Sequence, residues 1–217
     1  MTDLALLGTA IETGDAKAAT SLTRDALADG IPATEVLGTM TASMAAIGER
    51  FEAGDVYVSG MLVAARAMKE ALTELEPALV EAGVQPEHTV VMGTVQGDLH
   101  DIGKGLVSMM LKGANLAVVD LGTNVPAERF VDAAREHDAR VIGISALLTT
   151  TMTAMADVVD AVRASDVADT KIIVGGAPVT EEYANQIGAD GFATDAARAV
   201  DVVQRALGMG RDAVGQN

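Results

Sequence analysis

The C-terminal part of the chain alternates short apolar segments with amphipathic stretches, and this pattern limits the fold more than any other feature. β-like segments lie at 89–95, 116–121, 141–145, 171–174 and, more weakly, 191–193. Helical patterns follow them at 102–112, 126–136, 152–164, 180–187 and 195–207. Strands that are apolar throughout are buried on both faces, which indicates a parallel sheet covered by helices on each side. We expect an α/β fold with a doubly wound, five-stranded parallel sheet of flavodoxin-like or Rossmann-like type.

The residues before position 85 have a different pattern, because their apolar side chains recur at helical spacing and β-branched runs are absent. This spacing predicts four helices, at 3–12, 15–28, 32–53 and 59–81. Short connections between helices of this length favour an antiparallel four-helix bundle. We therefore predict a helical bundle domain at 1–85 and an α/β domain at 86–217, with Glu81–Pro86 as the linker.

Composition excludes several classes of function. The 15 Lys and Arg against 31 Asp and Glu give a net charge of −16, which argues against a nucleic-acid partner because phosphate neutralisation needs a basic surface. The absence of cysteine excludes disulfides, zinc–thiolate sites and thiol nucleophiles. No uncharged run is long enough for a membrane helix, and the N-terminus lacks the features of a signal peptide. We expect a cytoplasmic protein without a membrane partner.

Ligands of doubly wound sheets bind beyond the carboxyl ends of the strands, which directs attention to the segments after Val95, Ser145 and Val174. The first of these segments contains His100 close to Asp98. A carboxylate that bonds one imidazole nitrogen fixes the tautomer, as it does for histidines that bind metals. From the residues alone, His100 could equally be an ordinary loop histidine. The glycine spacing of a dinucleotide fingerprint or of a P-loop is missing.

Three elements together resemble a known family. Asp98-x-His100-x-x-Gly103 has the form D-x-H-x-x-G, Ser145-Ala146-Leu147 has the form S-x-L, and a Gly-Gly pair follows the next strand. Their order and separation are similar to those of the base-off, histidine-on cobalamin-binding fold of methionine synthase, cobalamin mutases and the corrinoid proteins of methyltransferase systems. Each element alone has a plainer interpretation, such as a strand-to-helix turn or a buried hydroxyl.

The resemblance implies a role for each matching residue. His100 would be the lower axial ligand of cobalt, and Asp98 and a hydroxyl, here Thr151 where the family often has Ser, would complete a ligand triad. Ser145 would bond the displaced benzimidazole, while Leu147 and Gly103 would line the slot for the nucleotide tail. By the same resemblance, the other cofactor-binding positions are Gly97, Leu99, Asp101, Ile102, Thr149, Gly175 and Gly176.

The N-terminal part also resembles the family, because the stretch from Gly48 to Val58 is similar to the cap that precedes the cobalamin domain of methionine synthase. Phe51 and Val58 would cover the upper face of the corrin, although both could also be bundle core. Ser59-Gly60 departs from the Pro-Glu that the family often has there.

By this resemblance, a bundle followed by a cobalamin domain fits a corrinoid methyl carrier. Such a subunit of one-carbon metabolism accepts a methyl group on cob(I)alamin from a substrate-specific methyltransferase and passes it from methyl-cob(III)alamin to a second methyltransferase with a thiol or folate acceptor. A reductive activase would be a third partner, and the chain would have no complete active site of its own. Two alternatives are the cobalamin subunit of an adenosylcobalamin-dependent mutase and a cobalamin-dependent regulator. The sequence does not identify the methyl donor.

Overall fold

The computed structural model describes residues 2–83 and 86–209. Helices and strands alternate in the order that the sequence predicts. The elements before residue 85 are α1 (Leu4–Glu12), α2 (Ala16–Ala28), α3 (Ala33–Glu52) and α4 (Val58–Glu81). The later elements are β1 (Thr89–Thr94), α5 (Ile102–Gly113), β2 (Ala117–Asp120), α6 (Ala127–Glu136), β3 (Val141–Ser145), α7 (Thr153–Arg163), β4 (Lys171–Gly175), α8 (Glu181–Gln186), β5 (Gly191–Ala193) and α9 (Ala196–Ala206).

The four predicted N-terminal helices are present and pack around an aliphatic and methionine-rich core. Side-chain oxygens cap two of them, since Asp3 accepts from the Ala5 N–H and Asp15 accepts from the Ala18 N–H. These caps satisfy backbone donors that have no partner inside the helix. Helix α4 continues through Pro77, as predicted. The largest fully buried side chains of this part are those of Leu7, Ile11, Val36, Met40, Ile47, Met61 and Leu75.

The strands form one parallel sheet in the order β2-β1-β3-β4-β5. This is the flavodoxin-like order, in which the direction of winding reverses between β1 and β3. The register pairs Thr94 with Ser145 and Ser145 with Gly175, so the carboxyl ends of β1, β3 and β4 lie side by side. The predicted doubly wound fold is confirmed.

Successive strand residues face opposite sides of the sheet, and each side is covered by helices. Val91 and Ile142 pack on one side with Phe130 of α6 and Val158 of α7. The neighbouring strand positions pack on the other side with apolar residues of α5 and α9. This arrangement explains why the strands are apolar throughout rather than alternating.

The chain divides into two compact units, Met1–Pro86 with Lys112–Asn115 and Glu87–Leu111 with Leu116–Asn217. Of the predicted linker, Val84 and Gln85 lie outside the described residues. The assignment of 1–85 as a cap domain and 86–217 as a cofactor domain stays a prediction. None of the helices described is long and apolar enough to cross a membrane.

Candidate functional site

The predicted histidine lies on the loop that leaves β1, at the point where the sheet reverses its winding direction. Nδ1 of His100 lies 2.7 Å from Oδ1 of Asp98, and the backbone N–H of His100 donates to the same oxygen at 3.0 Å. The Asp98 side chain is fully buried, whereas half of the His100 side chain (51%) is exposed. The loop therefore presents an imidazole at the surface and holds it from beneath with a buried carboxylate.

The second oxygen of Asp98 connects this loop to the segment that follows β3. Oδ2 accepts the backbone N–H of Leu147 at 2.8 Å and the hydroxyl of Thr151 at 2.7 Å. The S-x-L segment and the predicted Thr151 hydroxyl thus meet the histidine loop at one carboxylate. Since β1 and β3 are adjacent, the sheet itself brings these distant parts of the chain together.

These contacts set the charge of Asp98. Burial by itself would raise the pKa of the carboxyl group, but the hydrogen bonds from the His100 and Leu147 amides, the Thr151 hydroxyl and the His100 ring outweigh burial and lower the pKa well below its usual range. An ionised carboxylate can only accept hydrogen bonds. In the neutral form of the His100 imidazole the proton then lies on Nδ1, and Nε2 has the free lone pair.

The local backbone explains the shape of the loop. Gly97 has a φ of 85°, which a residue with a side chain rarely adopts, and the Asp98 N–H donates to the Val95 carbonyl at 3.1 Å to close the turn. The Thr94 hydroxyl donates to the His100 carbonyl at 3.0 Å and fixes the far end of the loop.

A cavity of about 560 Å³ opens beside His100 along the carboxyl ends of β1, β3, β4 and β5. Its volume lies within the range of small-molecule sites. Ser145 contributes a hydroxyl that makes no hydrogen bond within the described part of the chain. The predicted residues that line the cavity are Leu99, His100, Asp101, Ile102, Gly103, Ser145, Leu147, Gly175 and Gly176.

Two glycines of the cavity wall serve different purposes. Gly176 has a φ of 133°, and a Cβ there would lie 1.9 Å from the Ala146 carbonyl oxygen, so the turn itself requires glycine. A Cβ at Gly103 would have no atom within 4 Å. The protein fold does not explain the absence of a side chain at Gly103, whereas a ligand that approaches the backbone there would.

Not all of the predicted positions line the cavity. Asp98 and Thr151 lie beneath it and act on His100, while Gly97 and Thr149 are exposed and do not line it. Phe51 and Val58 belong to the helical unit, in which Phe51 is half-buried and Val58 is 45% exposed.

Sequence reasoning missed the residues that follow the fifth strand and one residue of α5. Thr194 and Asp195, which follow β5, line the cavity, as does the buried Lys104 of α5. The strand order could have indicated the first two, because β5 lies next to β4 and its carboxyl end therefore shares the same rim.

The site fits a large cofactor that takes one nitrogen ligand from the protein. Among the described residues, no cluster of three or more His, Cys, Asp or Glu could hold a metal ion by itself. A single oriented imidazole suits a metal that is already bound in a macrocycle. The apolar cavity beside it, with the hydroxyl of Ser145, suits a bulky tail of the same cofactor.

Comparisons with known proteins indicate the class of cofactor. Two family profiles described as a B12 binding domain match residues 88–201 and residues 4–76. Trimethylamine corrinoid protein 1 of Methanosarcina acetivorans is 38% identical over 202 residues, which are 91% of this chain and 94% of that protein.

Two solved structures share the fold. A cobalamin-binding protein from Desulfitobacterium hafniense DCB-2 has a TM-score of 0.79 and 32% identity, over 95% of this chain and 99% of that chain. A chain of the methanol:cobalamin methyltransferase complex from Methanosarcina barkeri has a TM-score of 0.82, over 99% of this chain and 85% of that chain. The identity to the second structure is 24%, so that match shows the fold alone.

Proposed function

This chain belongs to the B12-binding protein family, and from that premise we propose that it is the methyl-carrying corrinoid subunit of a cobalamin-dependent methyltransferase system. Bound cobalamin supplies a strongly nucleophilic cobalt that accepts a methyl group from a donor and releases it to an acceptor. The protein would hold this cofactor, supply its protein ligand and carry the methylated cofactor between partner enzymes.

The observation that carries the proposal is the hydrogen-bonded chain from Thr151 through Asp98 to His100. Asp98 holds the proton of His100 on Nδ1. Nε2 would then be the nitrogen that holds the cobalt of the bound cofactor. A carboxylate behind a ligating histidine orients the ring and raises its basicity. If the strength of the bond between His100 and the metal changes, Thr151 and Asp98 can hold or release a proton at Nδ1 of His100.

The cavity beside His100 suits the nucleotide tail that cobalamin displaces when a histidine takes its place. Leu147 is 42% exposed and Ile102 is 77% exposed, so both offer apolar surface for a ligand to cover. The free hydroxyl of Ser145 would donate to the benzimidazole, and the bare backbone at Gly103, Gly175 and Gly176 would let the tail approach closely.

Phe51 and Val58 are proposed to shield the opposite face of the corrin between transfers. The 45% exposure of Val58, at the start of α4, leaves apolar surface for such a role. Replacing Phe51 with Ala should then speed the oxidation of reduced cobalamin by dissolved oxygen. An unchanged rate would mean that Phe51 only fills the core of the bundle.

The partners are proposed to be a donor-specific methyltransferase, an acceptor methyltransferase that uses a thiol or a folate, and a reductive activase. Small methylated amines are the first donors to test, because a relative that matches most of this chain is named a trimethylamine corrinoid protein. The fold shared with a chain of the methanol:cobalamin methyltransferase complex is a reason to test methanol as well.

Electron paramagnetic resonance of the cobalt(II) protein tests the central assignment. Wild-type protein labelled with ¹⁵N-histidine and loaded with cobalamin should show a doublet of nitrogen splittings where unlabelled protein shows a triplet. His100→Ala should lose this splitting, and His137→Ala, which removes an exposed histidine at the end of α6, should keep it. A labelled protein that keeps the triplet would show that its cobalt ligand is not a histidine.

Methyl transfer is tested separately. The reduced holoprotein is incubated with trimethylamine, dimethylamine or methanol and with the matching methyltransferase, and methylation is followed by the absorption spectrum. Methylation with one donor supports the carrier function and identifies the donor. Tight cobalamin binding without methylation, together with conversion of a mutase substrate in the presence of adenosylcobalamin, would instead favour the mutase alternative.

A further inference from the structure

The connection between β2 and α6 runs beside the histidine loop and makes hydrogen bonds to it. Its central residue, Asn124, has a φ of 54°, a left-handed conformation that Asn tolerates better than most residues. Asn124 belongs to none of the sequence motifs described above.

Asn124 binds the backbone of the histidine loop at two consecutive residues. Its side-chain Oδ1 accepts the N–H of Gly97 at 2.8 Å, and its own N–H donates to the carbonyl of Asp98 at 2.9 Å. These bonds hold the backbone of Gly97 and of Asp98, whose carboxylate orients the histidine.

The same connection is attached to the helix that follows the histidine. Lys104 of α5 is 4% exposed, and its Nζ lies 2.5 and 2.6 Å from the two carboxylate oxygens of Asp120, the last residue of β2. Asp120 also accepts the Gly122 N–H at 2.9 Å, and the Gly122 carbonyl accepts the Thr94 N–H at 3.0 Å. The histidine loop is thus held on both sides, by Asn124 of this connection before His100 and by the ion pair of Lys104 with Asp120 at the end of β2 after it.

We propose that Asn124 is a positioning residue, whose side chain fixes Asp98 and, through Asp98, the orientation of the His100 imidazole. This inference rests on the proposed function in so far as His100 is the cobalt ligand, whereas the positioning of Asp98 also exists without cofactor. A loop held at Gly97 and Asp98 keeps the carboxylate under the ring, and the ring then meets the metal in one orientation.

Three variants separate the side-chain bond from the backbone conformation. Asn124→Gly removes the acceptor and still permits the positive φ, while Asn124→Asp keeps both an acceptor and a residue type that adopts this conformation. Asn115→Gly is the matched control, because Asn115 also has a positive φ, of 60°, and has no hydrogen bond to the histidine loop within the described residues.

Hydrogen exchange of the protein without cofactor gives the first result. The amides of His100 and Leu147 both donate to Asp98, and neither is hydrogen-bonded to Asn124 among the described residues. We expect them to exchange about twofold to tenfold faster in Asn124→Gly than in wild type, the range that corresponds to one net hydrogen bond. Asn124→Asp and Asn115→Gly should exchange at these amides as wild type does.

The second result comes from the cobalamin-loaded protein. The fraction of cobalt(II) with the histidine nitrogen splitting should fall in Asn124→Gly and be restored in Asn124→Asp, with melting temperatures no lower than that of Asn115→Gly. Unchanged exchange at His100 and Leu147, or an Asn124→Asp protein that behaves as Asn124→Gly does, overturns the positioning role. If wild type itself shows no histidine coordination, the proposed assignment of His100 as cobalt ligand has failed, and amide exchange alone decides the role of Asn124.

Discussion

The hydroxyl of Thr151 lies 2.7 Å from Oδ2 of Asp98, although 53 positions separate the two residues in the chain. Thr151 Oγ1 is also 3.0 Å from the Leu148 carbonyl, but a hydroxyl has one proton, and an ionised carboxylate is the stronger acceptor. The hydroxyl therefore stabilises the charged form of Asp98, and Asp98 in turn holds the proton of His100.

Replacing Thr151 with Val keeps the shape of the side chain and removes this hydrogen bond. We expect the free energy of unfolding to fall by about 1.5–3 kcal/mol, the range for a hydrogen bond to a charged group, and histidine coordination of bound cobalamin to weaken. Thr151→Ser keeps the hydroxyl and should resemble wild type in both respects. Urea unfolding and the cobalt(II) nitrogen splitting measure the two effects. Equal behaviour of the Val and Ser variants would contradict the role of the hydroxyl.

The stability of the protein should depend on pH through Asp98. Its pKa is lowered in the folded state, so its contribution is complete above the unfolded pKa of about 4 and is lost as the pH falls toward the folded value. Asp98→Asn lacks this titration and also leaves buried donors unsatisfied. The difference in unfolding free energy between wild type and Asp98→Asn should be largest near neutral pH and should shrink below pH 4.

Urea unfolding of both proteins at pH 7, 5, 4 and 3 tests this dependence. The other carboxylates are common to the two proteins, so their titration cancels in the difference. A difference that stays constant over this range would mean that Asp98 titrates alike in the folded and unfolded states.

Two cavity glycines should respond differently to the same substitution. Gly176→Ala places a methyl group against the Ala146 carbonyl and should lower the unfolding free energy by about 3 kcal/mol or more. Gly103→Ala meets no protein atom and lies in the first turn of α5, so stability should stay the same or rise by up to about 1 kcal/mol. Cobalamin affinity should nevertheless fall in Gly103→Ala, as measured by titration with hydroxocobalamin. Full affinity in that variant would show that no ligand approaches the backbone there.

Tyr183 supports the turn that carries Thr151. Its hydroxyl donates to the Met152 carbonyl at 2.5 Å, and burial together with the nearby Asp157 raises the pKa of the phenol. Tyr183→Phe should lower the unfolding free energy by about 0.5–1.5 kcal/mol. Tyr57→Phe is the matched control, since the Tyr57 side chain is 80% exposed, and it should unfold as wild type does. A Tyr183→Phe protein of wild-type stability would show that this hydrogen bond makes no net contribution to the free energy of unfolding.

The secondary structure was predictable because local rules and tertiary packing agree. The β-like segments at 141–145 and 191–193 match β3 and β5 residue for residue. Several predicted helices begin one residue early, because Asp15, Thr180 and Asp195 cap the helix from outside its first turn. Helix α4 instead begins at Val58, one residue before the predicted start.

The site was predictable only where side chains carry the chemistry. Asp98, His100 and Thr151 are recognisable by type and spacing, and the structure brings them into one hydrogen-bonded chain. The contributions of the Leu147 amide and of Asn124 depend on strand adjacency and on one left-handed torsion angle. Neither property is visible in residue types, so the sequence could not indicate them.

The hydrogen bonds to the carboxylate of Asp98 come from segments that follow β1 and β3, and the cavity beside them also includes residues that follow β4 and β5. This arrangement affects the order in which the site can form during synthesis of the chain. During translation Asp98 and His100 leave the ribosome well before Leu147, Thr151 and Gly176, so the histidine loop first exists without its hydrogen-bonding partners. The cofactor site can form only after β3 has been synthesised and paired with β1, and β4 has paired with β3. Cobalamin can therefore bind only after most of the chain has been synthesised. A chain truncated before β4 should be unable to retain the cofactor.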